Sequence, residues 1–200
     1  MSLRTSRPKR DPSVDRELST SGDELSIGAL LREAYESNNR TWASPGAVAI
    51  AVHRLGGWAR EQRPPLRAPL RKLSMLAFIL VRNVYGIELP PTVQVGRRLK
   101  IAHQGGIVVH PNAVIGDDCT IRQGVTIGAT RDVGYERDFP TIGDRVSIGA
   151  GAAVMGRLRV GDHVMIGPNT VVMSNVAAGS IVVCPAPRVM TRRVPDPPTA

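Results

Sequence analysis

Aromatic residues make up only 4% of this 200-residue chain. That scarcity, with no helix-turn-helix or zinc motif, argues against nucleic-acid binding despite a formal net charge of +9. Cysteine is almost as rare. Cys119 and Cys184 are the two present, too few for a disulfide framework. Long hydrophobic runs are missing as well. The longest, Leu73 to Val81, is interrupted by Ser74 and reaches half of the roughly 18 residues a membrane span requires. The first 24 residues hold no apolar segment of signal-peptide type. A reduced, cytoplasmic protein without a structural metal is the expectation from these absences.

What is abundant is β-branched residues at a fixed period. Val95, Ile101 and Ile107 are followed by Ile115, Ile121 and Ile127, then by Ile142, Ile148, Val154, Val160, Ile166 and Val172. Each step inside a group is six residues. The register slips twice, by two residues near His110 and by a longer insertion between Ile127 and Ile142. Hexapeptide periodicity is the mark of a parallel β-helix, whose coils stack because one coil alone buries too little. A β-sandwich would alternate at period two instead. Cys119 falls on an inward position of this pattern.

The chain divides accordingly. Residues 1–24 are polar and balanced in charge, and read as a disordered tail. Residues 25–86 are helical in period. A second helix there begins at Ser44-Pro45, with Ser as N-cap and Pro in the first turn, and a third spans Leu66 to Val84 and stops at Gly86. The β-helix occupies 87–182, and residues 183–200 form a C-terminal tail. Nine residues beyond the repeat, within ATRDVGYERDFPT, must leave the stack as a loop of functional interest. Residues 51–85 carry seven basic residues against Glu61 alone. Such a segment is either a solvated helix face or one that meets anionic lipid head groups or a phosphorylated ligand.

Of the four histidines, His53 lies in an apolar helix and reads as a packed residue. His163 falls outward on a repeat, and His110 sits in the short insertion, exposed and with no assigned part. His103 stands apart because its turn, KIAHQGG, has two glycines that allow close approach of a ligand. Glu88, 15 residues upstream, falls about one coil away. A carboxylate on one imidazole nitrogen raises the basicity of the other, which suits proton removal from an alcohol.

The stretches GIELPPTVQVGRRLKIAHQGG, IGDDCTIRQGVTIGAT and PTIGDRVSIGAGAAVMG, with the helical SPGAVAIAVHRLGGW, resemble the serine acetyltransferase group of hexapeptide acyltransferases over about residues 44–190. The resemblance implies a left-handed parallel β-helix, an exception to the usual right-handed crossover. It also implies a homotrimer, alone or paired, with acetyl-CoA as co-substrate between subunits. His103 becomes the general base, and Glu88, where the family usually has Asp, its orienting acid. The pantetheine arm would follow Gly128, Ala129 and Thr130, then Gly149 and Ala150, then Gly167 and Pro168.

Three departures bear on the acceptor. Ala102 replaces the family's Asp before the catalytic His, and Asp138-Phe139-Pro140 stands where Arg-His-Pro binds the amino acid. No Asp-Pro is found around Glu36 to Asn39. These changes favour the similar exopolysaccharide (colanic-acid-type) branch, whose acceptor is a sugar hydroxyl, with peripheral contact at the inner membrane face. Serine O-acetylation for cysteine synthesis is the alternative. A non-catalytic scaffold is the third reading, disfavoured by the presence of both Glu88 and His103.

Overall fold

The computed structural model describes residues 26–130 and 138–186. The N-terminal tail, residues 131–137 of the expected loop and most of the C-terminal tail lie outside the described residues. Among the described residues three helices come first: α1 (Ile27–Ser37), α2 (Pro45–Glu61) and α3 (Arg67–Tyr85). Ser26 caps α1, its Oγ accepting from the Ala29 amide at 3.3 Å. Ser44 occupies the N-cap of α2 but makes no side-chain cap bond, contrary to expectation; Pro45 alone starts that helix. Helix α3 ends at Gly86 in the left-handed region, φ 63°, with the Gly86 amide bonded to the Arg82 carbonyl.

Among the described residues, fourteen short strands follow in three parallel sheets. One sheet stacks β1 (Ile87–Glu88), β4 (Ile107–Val109), β7 (Thr126–Gly128), β10 (Ala153–Met155) and β13 (Val171–Val172). The second stacks β2 (Gln94–Val95), β5 (Val114–Ile115), β8 (Thr141–Ile142) and β11 (Arg159–Val160). The third stacks β3 (Lys100–Ile101), β6 (Thr120–Ile121), β9 (Ser147–Ile148), β12 (Met165–Ile166) and β14 (Ile181–Val182). Successive strands of the chain therefore visit the three sheets in turn, which is a parallel β-helix. The Ile and Val ladder points inward: eleven of its twelve members are buried, and Val95 at the open first coil is half-buried. Cys119 is fully buried among them, and burial pushes its thiol up to about 11.

The pairing corrects the site of the first slip. Val109, not Ile107, lies opposite Ile127, while Ile107 lies opposite Ile87. The inward line therefore runs Leu89, Val95, Ile101, Val109, Ile115, and the two extra residues sit between Ile101 and Val109. They enlarge the corner that carries His103. His110 lies outside the insertion and is buried rather than exposed, its ring stacked on Phe139 at 5.9 Å.

Backbone turns are tied from coil to coil by aspartates. Asp117 accepts from the Arg97 amide, Asp144 from the Asp117 amide and Asp162 from the Asp144 amide, at 2.7 to 2.8 Å. The adjoining residues Arg98, Asp118, Arg145 and His163 all have φ of 54 to 59°. His163 accepts from the Arg145 guanidinium at 2.9 Å, in keeping with a structural part.

Helix α2 packs closely on the first coil because its inner face is small. A Cβ on Gly46 would stand 2.5 Å from the Ile101 carbonyl, and one on Gly56 2.5 Å from Pro91. Between them, His53 is buried with Nδ1 3.0 Å from the Pro90 carbonyl. A carbonyl only accepts, so Nδ1 carries a proton. Burial, and then the charge of Arg54, lower the His53 pKa to about 4. Between that value and the ordinary 6.5, the unfolded chain binds more protons at this site than the folded one. Stability is therefore full above about pH 6.5 and falls as the pH drops toward 4, by about 3 kcal/mol. Urea unfolding of the parent chain and His53→Asn at about pH 7 and about pH 4.5 checks this. Equal losses in both proteins would refute the assignment.

Candidate active site

The enlarged corner, residues 102–106, closes the first coil. Its backbone turns through Gly105 and Gly106 at φ 100° and 64°. The Gly105 carbonyl accepts from the Gly124 amide of the coil above, and the Ala102 amide donates to the Ile121 carbonyl. These bonds hold the upper edge of the corner. Its lower edge is the open end of the β-helix, where β3 has no strand beneath it among the described residues.

Asn38, at the C-terminal end of α1, takes the place of that strand. Its Oδ1 accepts from the Ile101 amide at 3.0 Å, and its Nδ2 donates to the Leu99 carbonyl at 3.1 Å. A third bond, Nδ2 to the Ala34 carbonyl, ties the amide back to its own helix. One side chain thus satisfies both edge groups of β3, immediately before Ala102 and His103. Asn38 is wholly buried. Replacing it with Ala leaves a buried N–H and C=O unpaired, which costs about 1–3 kcal/mol. Thermal unfolding of Asn38→Ala measures this, and an unchanged midpoint would refute it. The sequence contained little sign of this residue, since a polar side chain at a helix end is common.

His103 is exposed at the corner and faces the loop between α1 and α2. A cleft of about 430 Å³ separates the two, lined by Asn39, Thr41, Ala43, Ser44 and Pro45 on one side and Ala102, His103 and Gln104 on the other. Among the described residues, the lining holds no Asp, Glu, Lys or Arg. Glu88 is half-buried on β1, the strand that opens the same coil. It pairs in register with Val108, just past the corner. The expected separation of one coil is thus corrected: the two residues belong to the opening and closing ends of one coil. Among the described residues, neither side chain makes a hydrogen bond or an ion pair, so the Glu88–His103 bond is not formed here.

The seven residues expected along the cofactor arm fall on two corners. Gly149-Ala150 and Gly167-Pro168 follow β9 and β12, stacked in the same column as Ala102-His103. The Gly149 amide bonds the Ile166 carbonyl, and a Cβ on Gly149 would stand 2.6 Å from the Pro168 nitrogen. Gly128, Ala129 and Thr130 end β7 and turn a different corner. Thr130 there donates both its amide and its hydroxyl to Asp138, at 2.8 and 2.7 Å, closing the neck of the long insertion. Asp138 and Phe139 are therefore engaged within the chain, by Thr130 and His110. Among the described residues, no cluster of His, Cys, Asp and Glu could hold a metal, and no helix is long and apolar enough to cross a membrane.

Residues 139–182 match the bacterial transferase hexapeptide (six repeats) family. A serine acetyltransferase of Helicobacter pylori is 41% identical over 139 residues, 68% of this chain and 77% of that protein. The chain belongs to the serine acetyltransferase family. A family member from Mycobacterium tuberculosis is 39% identical over 116 residues, covering 58% of this chain and 48% of that one. Against that relative the chain spans about half the length. Among solved structures, serine acetyltransferase isoform 3 of Entamoeba histolytica in complex with cysteine superposes with a TM-score of 0.68 at 28% identity. The match covers 84% of this chain and 61% of that one. The Brucella abortus enzyme in complex with coenzyme A gives 0.66 at 26%, covering 80% and 66%. All the relatives named are serine acetyltransferases, so the exopolysaccharide branch expected from the sequence draws no support from them.

Proposed function

We propose that this chain is an O-acetyltransferase that moves acetyl from acetyl-CoA to an alcohol, with His103 as general base. The observation that carries the reading is the cleft that opens on His103 between the α1–α2 loop and the enlarged corner. His103 takes the proton of the acceptor hydroxyl as its oxygen attacks the thioester carbonyl. The C–S bond breaks, and the imidazolium returns a proton to the departing thiolate. Glu88 swings onto the imidazole when substrate closes the site. The complexes of relatives with coenzyme A support the donor.

A left-handed coil and a cytoplasmic homotrimer belong to the same reading. The two columns of small residues lie on different corners, so one pantetheine arm touches both only in a groove between two copies. Gly149, Ala150, Gly167 and Pro168 would form one wall, and the next subunit's Gly128, Ala129 and Thr130 the other.

L-Serine is the acceptor that the relatives' names support. A second acceptor, a glycan hydroxyl, is favoured by one specific observation. Among the described residues, the cleft offers amides, hydroxyls and methyl groups but no carboxylate for an ammonium and no guanidinium for a carboxylate. Leaving both charges of a zwitterion unpartnered costs several kcal/mol of binding. Thiol release from acetyl-CoA, measured with L-serine and with a panel of sugars and nucleotide sugars, separates the two. Turnover on serine alone selects the first acceptor, turnover on a sugar alone selects the second, and none on either, with no acetyl-CoA binding, refutes the enzyme.

A further inference from the structure

Helix α3 is apolar on two sides. Phe78 and Val81 are buried against the rest of the chain. Leu73, Leu76, Leu80 and Val84, spaced i, i+3, i+7 and i+11, form a second stripe in which every member is more than half exposed. A solvated helix face does not carry four aligned large apolar side chains, so this stripe meets something.

Charge decides what. Arg67, Arg71, Lys72 and Arg82 on α3 are all exposed, as are Arg60 and Arg63 just before it. Between Glu61 and Glu88 there is no acidic residue. Among the described residues, Arg67, Arg71 and Lys72 form no ion pair. A second copy docking stripe to stripe would set these cations against the same cations with nothing to offset them. The flat sides of the β-helix carry separate exposed apolar residues, among them Val108, Met165 and Val171, for contact between copies. We propose that the outward face of α3 docks on an anionic phospholipid bilayer. The leucine stripe enters the acyl boundary, while the long basic side chains reach the head groups. The reading is independent of which alcohol is acetylated, and of whether any is.

The test is co-sedimentation of the purified full-length protein with vesicles of phosphatidylcholine alone or mixed with phosphatidylglycerol. The expected result is partition at least about tenfold stronger into the mixed vesicles, weakened by salt. Leu73→Glu/Leu80→Glu abolishes it, and Arg71→Gln/Lys72→Gln reduces it about tenfold. All four positions are exposed, and circular dichroism verifies that both variants fold. Equal partition into both vesicles, none into either, or partition that the leucine variant leaves intact would overturn the proposal. So would a fall in solution mass on the leucine substitutions without any vesicle binding, which would assign the stripe to a second copy.

Discussion

His103→Ala lowers the turnover of acetyl transfer by a factor of about a hundred to ten thousand, the usual worth of a positioned general base. The Michaelis constant for acetyl-CoA changes little, because the column of small residues that would hold the arm is untouched. The melting temperature also stays put, since His103 is exposed and bonded to no described residue. Steady-state thiol release with either acceptor, beside thermal unfolding, supplies both readings. Near-normal turnover in the variant would remove His103 from the chemistry and return the chain to a binding role. Glu88→Gln is the companion variant, with a smaller loss of turnover and an unchanged melting temperature. A carboxamide cannot hold the imidazolium as a carboxylate does.

The largest effect on stability comes from the ladder. Ile148→Ala costs about 2–5 kcal/mol, the range for removing a fully buried aliphatic side chain from a packed core. Ile148 is wholly inaccessible and lies in register between Ile121 below and Ile166 above. A cavity there takes contacts from both neighbouring coils, and stability in a stacked repeat is a sum of such nearest-neighbour terms. Ser147, the residue before it, points outward and meets Arg122 through its hydroxyl at 3.1 Å. Ser147→Ala costs no more than about 0.5 kcal/mol. Denaturant unfolding of the two variants side by side decides it. Equal losses would mean that the inward and outward positions have been wrongly assigned.

Most of the architecture could be read before the coordinates because a repeat averages its own signal. Twelve Ile and Val residues at one spacing outweigh any local ambiguity, and Gly86 and Pro45 mark helix ends through backbone geometry alone. The placement of the first slip could not be read that way. Both Ile107 and Val109 are apolar and six or eight residues past Ile101, so periodicity accepts either. Strand pairing chose Val109, and with it moved the extra residues from His110 to the corner of His103. A residue-level clue was present in Leu89, six before Val95, which continues the inward line that Val109 joins.

The parallel coil, the three helices, the buried Cys119 and the packed His53 were determined by the sequence, because each follows from spacing or from hydrophobicity along the chain. The tertiary structure alone decided that Asn38 stands in for a missing strand beneath Ile101. It alone separated the small-residue turns onto two corners and engaged Thr130 with Asp138 and His110 with Phe139. These pairs join residues 8 to 63 positions apart through single side chains, with no repeat to signal them. The exposed stripe on α3 belongs with them. In the sequence Leu73 and Phe78 are equally apolar, and only packing against α2 buries one side of the helix and leaves the other outward.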